Sequence, residues 1–132
     1  RKKSGVFFHA QVPQKELLSR IAEHDVGFAG ELNDCMNKNL TIANKAFEYM
    51  RAGLAVIASD TSGHRELAEN AEGFLLYQQN DAAGLARVIT EFMLSPEMLA
   101  NAREENVTQA ESRYSWEVDC VKLLRLVKAA TS

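Results

Sequence analysis

The sequence predicts an α/β domain with a mainly parallel sheet of about four strands flanked by helices. Three observations carry that expectation. Short apolar runs rich in β-formers alternate with stretches whose apolar residues recur at helical spacing. One run, Ala55-Val56-Ile57-Ala58, is apolar throughout, as a parallel strand covered on both faces should be. No internal repeat or low-complexity linker divides the 132 residues, so they are read as one unit. A chain of that length buries about two-thirds of its unfolded surface, enough for a real core.

In chain order, Val6-Phe7-Phe8-His9 is the first strand candidate. Pro13 suits the start of a helix, where its missing N–H costs nothing, and Leu17, Leu18, Ile21 and Ala22 follow at helical spacing. Val26-Gly27-Phe28-Ala29 is the second strand, and residues 31–39 lack periodicity and read as a polar loop. A helix is expected over residues 41–52, with Ile42, Ala43, Ala46, Phe47 and Met50 on its buried side and Gly53 as its stop. The strand at residues 55–58 leads into a polar turn over 59–63 and a short helix over 64–69. Gly73-Phe74-Leu75-Leu76-Tyr77 is the fourth strand.

Three helices close the chain. Asp81 caps the first, whose expected buried stripe is Leu85, Ala86, Ile89, Phe92 and Met93. Ser95-Pro96 starts the second. Ser115 caps the third, with Trp116, Cys120, Leu123, Leu124 and Val127 on one face, expected to be core.

The formal net charge of −3 argues against a nucleic-acid binder, whose footprint would be basic. Arg1-Lys2-Lys3 is the one dense basic cluster and reads as a solvated tail. No apolar run has the length of a bilayer span, and no signal peptide precedes the first strand candidate. Cys35 and Cys120 have no CxxC spacing, which points away from a disulfide framework or zinc site and toward a cytoplasmic setting. His9 and His64 stand near strand ends but apart from each other, and are read as hydrogen-bonded structural groups rather than metal ligands.

In an open parallel sheet, ligands bind outside the carboxyl ends of the strands. Those ends fall at residues 10–13, 30–39 and 60–63 and should converge on the amino end of the helix beginning near Thr41. Free N–H groups and the helix dipole make such an end a natural phosphate site. Lys45 adds charge there, and Glu48, one turn on, could take both hydroxyls of a ribose. The plainer alternative is a surface ion pair between Lys45 and Glu48.

The string Asn44-Lys45-Ala46-Phe47-Glu48-Tyr49-Met50-Arg51-Ala52-Gly53-Leu54-Ala55-Val56-Ile57-Ala58-Ser59 closely resembles the donor-site segment of group 1 glycosyltransferases of the GT-B fold. The similarity continues through Ser62-Gly63, Glu66-Leu67, Gly73 to Leu76, Asp81 with Leu85-Ala86, and Ser115-Trp116-Glu117. Upstream it takes in residues 6–17, Ala22 and Asp25-Val26. The resemblance implies a Rossmann-like, partial GT-B carboxyl-terminal domain of retaining type over residues 1–132. It would bind a nucleoside-diphosphate sugar, with no further cofactor and no metal. It implies Glu48 on the ribose, Gln11, Val12 and Pro13 along the base, and the backbone of Thr41, Ala43 and Asn44 on the phosphates with Lys45. Sugar transfer to an acceptor would then rely on basic groups and backbone dipoles to stabilise the leaving diphosphate.

Two departures qualify this. The acid that the family places eight residues before Glu48 falls at Leu40; Glu31, in the preceding loop, is read as a solvated glutamate or as its stand-in. Ala43 stands where the family commonly has proline. The resemblance also implies two further strands between the first and second found here, and an amino-terminal acceptor domain, so the chain alone is expected to be inactive. Its first strand should re-pair with the second, or a second copy should fill the gap as a homodimer. Peripheral membrane association would belong to the full enzyme.

Two other classes compete with this reading. A degenerate nucleotide-sugar-binding or regulatory module is favoured by Leu40 and disfavoured by the intact Lys45, Glu48 and Gly53 framework. A flavodoxin-like or receiver domain would need an acidic pocket or phosphate loop that His9-Ala10-Gln11 does not supply.

Overall fold

The computed structural model describes residues 5–32 and 34–132. The reading of Arg1-Lys2-Lys3 as a solvated tail lies outside them. The elements run α1 (Gln14–Ile21), β1 (Val26–Ala29), α2 (Met36–Leu40), α3 (Asn44–Arg51), β2 (Ala55–Ser59), α4 (Ser62–Ala68), β3 (Phe74–Tyr77), α5 (Ala82–Leu94), α6 (Pro96–Ser112) and α7 (Trp116–Thr131). Among the described residues the three strands form one parallel sheet in the order β1-β2-β3, with Val26 opposite Ala55 and Val56 opposite Phe74.

All five residues of β2 are buried, as a central parallel strand requires. Val56 and Ala58 turn toward a cluster with Ala29, Ala46, Met50, Leu67, Phe74 and Ala110. Ala55 and Ile57 turn the other way, toward Val88, Phe92 and Ala102. The chain thus has helices on both sides of its sheet, the architecture the βα alternation predicts. Below the sheet, α6 crosses the amino ends of the strands. Asn106, fully buried on that helix, donates from Nδ2 to the carbonyls of Leu54 (2.8 Å) and Gly73 (3.0 Å). Arg103 donates to Gly53 O at 2.8 Å and pairs with Asp25 at 2.7 Å. Gly53, at φ 76°, ends α3 in the left-handed region that favours glycine.

Several expectations change. Residues 6–9 form no strand, so the sheet has three strands rather than four and their direct pairing with β1 does not occur. Phe8 is 95% exposed. The reason lies in β1 itself: Gly27 and Ala29 are buried beneath α3, but Phe28 on the opposite face is half exposed. A strand added beyond β1 would have one apolar face uncovered. The loop expected over residues 31–39 gives way at Met36 to the short helix α2, which runs on to Leu40, five residues being too few to display a period. Helix α3 begins at Asn44 rather than near Thr41, and α4 begins at Ser62 because the Thr61 hydroxyl accepts from His64 N–H and caps it. In α5 the buried line is Gly84, Val88 and Phe92, while Ile89 and Met93 are exposed. No residue of α7 is buried, and Trp116 is 70% exposed, so its apolar face is not core here.

Candidate functional site

The carboxyl ends of the strands meet around Ser59. Its hydroxyl accepts from the backbone N–H of Glu31 at 2.8 Å, tying the exit of β1 to the exit of β2. Its carbonyl accepts at 2.8 Å from Nδ1 of the fully buried His64; a carbonyl can only accept, so Nδ1 carries the hydrogen. Nε2 of His64 is buried without a partner. The side chains of Asn39 and Ser62 then join α2 to the start of α4, through Asn39 Nδ2 to Ser62 Oγ (3.2 Å) and Ser62 N to Asn39 Oδ1 (3.1 Å). Gly63 completes this junction by close approach. A Cβ there would lie 2.7 Å from the Thr41 carbonyl oxygen, so backbone meets backbone only because the side chain is absent.

Lys45 occupies the first turn of α3 and reaches back to the end of β1. Its Nζ donates to the Gly30 carbonyl at 3.1 Å and pairs with Glu31 Oε1 at 2.9 Å. Lys45 therefore pairs with Glu31, not with Glu48 as the plainer sequence alternative had it. Glu31 is correspondingly not a freely solvated loop glutamate: its side chain is 27% exposed. Ala43 stands at the N-cap of α3 with no side chain bonded to that helix end, and Asn44 beside it is exposed. Thr41 is also exposed, its hydroxyl donating to the Asn37 carbonyl at 2.5 Å. Aromatic side chains lie on both faces of β1: Phe28 and Tyr77 stack with centroids 5.8 Å apart, and Tyr49, over Gly27, donates to Phe28 O at 3.4 Å. Burial pushes the phenols of Tyr49 and Tyr77 above their ordinary range, against the pull of the Lys45 ammonium.

The other sequence candidates are distributed around α1 and α3. Gln11 and Val12 line a hollow of about 720 Å³ with Val26, Gly27, Phe28 and Tyr49. Pro13, the N-cap of α1, does not line it. Glu48 lines a different hollow of about 600 Å³, with Phe47, Arg51, Tyr114 and Trp116. Thus Lys45, Gly30, Glu31 and Ser59 come together; Glu48 and Gln11 do not share a cavity. Leu40, at the end of α2, is 61% exposed. Asn39, Ser59 and Tyr77 were missed by sequence reading. Ser59 was within reach of it, as a hydroxyl at the end of an all-apolar strand. Among the described residues no group of three or more His, Cys, Asp or Glu gathers that could hold a metal ion. No helix among them is long and apolar enough to cross a membrane.

The fold is that of a Rossmann-like α/β domain, a class in which ligands generally bind outside the carboxyl ends of the strands. The family profile of the group 1 glycosyl transferases matches residues 3–109, and the chain belongs to that family. Glycosyl transfer, with nucleotide-sugar binding in general, is what that membership carries. No curated protein and no solved structure gives a significant match.

Proposed function

We propose that residues 1–132 are the donor-binding part of a retaining glycosyl transferase of the GT-B fold, with a nucleoside-diphosphate sugar as ligand and an acceptor-binding domain as partner. The observation that carries this reading is Lys45, bridging the end of β1 and the uncapped first turn of α3. The ammonium and the helix dipole both favour negative charge at that place. Diphosphate would lie against Lys45 and the backbone of Thr41, Ala43 and Asn44. By the family resemblance Glu48 would accept from the ribose hydroxyls and Gln11, Val12 and Pro13 would line the base, although Glu48 and Gln11 line separate hollows in this structure. During transfer the same cation and backbone dipoles would stabilise the charge that builds on the departing diphosphate.

Calorimetric titration with the uridine, guanosine and adenosine diphosphate sugars tests this. Binding of one of them should weaken roughly tenfold or more in Glu48→Ala, the scale of a lost hydrogen bond to a charged group. Binding that ignores the substitution would remove the ribose from Glu48. A non-catalytic binding module is the second reading, and the exposed Leu40 is what favours it. It is distinguished by nucleotide-sugar binding without turnover when acceptor and partner domain are supplied.

A further inference from the structure

From the clamp on Lys45 we infer that Glu31 is its built-in counter-anion and sets which ligands the crevice retains, favouring a diphosphate that carries hydroxyl donors over a bare diphosphate. This rests on the reading of Lys45 as a phosphate-binding group. The two acceptors on Lys45 come from successive residues, the carbonyl of Gly30 and the carboxylate of Glu31. The backbone of Glu31 is itself fixed, because its N–H donates to the hydroxyl of the fully buried Ser59. Only the carboxylate arm can move away. Both side chains are about one-third exposed, so the pair stands at the crevice surface rather than in the core.

An incoming anion meets a pair with no net charge. Attraction to Nζ is opposed by repulsion from a carboxylate at nearly the same distance. A bare diphosphate must displace Glu31 and leave it facing negative charge with water as its partner. A diphosphate joined to a sugar brings hydroxyls that can donate to the displaced carboxylate, so both partners of the broken ion pair are satisfied. Glu31 therefore acts as a specificity residue through Lys45, weakening retention of the bare nucleotide more than that of the donor.

The test is calorimetric titration of the full chain with inorganic pyrophosphate, with UDP, GDP and ADP, and with the matching nucleotide sugars. It uses the wild type, Glu31→Gln, Lys45→Met and the double variant. Glutamine keeps the length of the side chain and can still accept from Lys45, so the fold should be retained, checked by an unchanged thermal midpoint. Glu31→Gln should bind pyrophosphate and a nucleoside diphosphate about tenfold more tightly, while affinity for the sugar conjugate rises less. That gain should shrink toward 1 M salt, where screening reaches about 3 Å, and should vanish in the Lys45→Met background. If Lys45→Met weakens binding but Glu31→Gln leaves the ratio of bare to sugar-bearing ligand unchanged, the proposal for Glu31 is overturned and the phosphate reading of Lys45 stands. If Lys45→Met has no effect, or no variant binds any of these ligands, both are overturned.

Discussion

Tyr49 shows how one side chain couples the candidate site to the stability of the domain. It stands one turn after Lys45 on α3, with its ring over Gly27 and its hydroxyl directed to the Phe28 carbonyl. Burial raises its phenol above the ordinary value of 10.0 that the unfolded chain retains. Between those two values, unfolding releases a proton that the native state keeps. Stability is therefore complete below about pH 10 and falls as pH rises through the folded value. Tyr77 contributes in the same direction. Urea midpoints measured from pH 8 to 11 should fall more steeply for the wild type than for Tyr49→Phe; parallel curves would show that the phenol is no more buried than in the unfolded chain. At this scale the sequence was informative where a residue's role is local. Lys45 could be placed on a helix start from spacing alone. Its ion pair with Glu31 could not, because fourteen positions separate the two and only the fold brings them together.

At the scale of elements, side-chain chemistry that acts within one turn was legible. Asp81, Ser95 and Ser115 each accept an N–H from the third residue on, as their positions before apolar periodic runs suggested. Contacts that depend on neighbouring elements were not. The apolar residues of α5 occur on more than one side, and spacing cannot say which side faces the sheet; Gly84 and Val88 do, beside Phe92. The buried Asn106 on α6 carried no sequence signal, since an asparagine in a polar helix normally faces water. Its two donated hydrogen bonds tie α6 to the entries of β2 and β3. Asn106→Leu should cost about 1–3 kcal/mol, the loss of buried hydrogen bonds partly offset by removing the unpartnered Oδ1. Asn106→Asp should cost more, because it sets a carboxylate against two carbonyl oxygens. Chemical denaturation of both variants checks this; equal costs would mean that the donor role of Nδ2 is not what holds the helix.

Across the whole molecule, apolar patterning reported which faces are apolar but not which of them find a neighbour. β2 finds one on each side and is buried throughout; residues 6–9 and α7, equally apolar by pattern, do not. The difference is one of layers. The sheet is covered by α3 and α4 on one face and by α5 on the other, with α6 across its amino ends, and α7 lies beyond that core with Trp116, Leu123, Leu124 and Leu126 exposed. Stability should therefore be distributed very unevenly among side chains of similar hydrophobicity. Phe92, 2% exposed between the sheet and α6, should lose about 3–5 kcal/mol on Phe92→Ala, through lost transfer energy and the cavity left behind. Leu124→Ser on α7 should change stability by no more than about 0.5 kcal/mol, because the side chain is already 58% exposed. Equilibrium denaturation of the two variants, at a concentration low enough to keep the chain monomeric, makes the comparison. A loss above about 1.5 kcal/mol for Leu124→Ser would show that α7 packs onto the domain in solution and would place its apolar face back in the core.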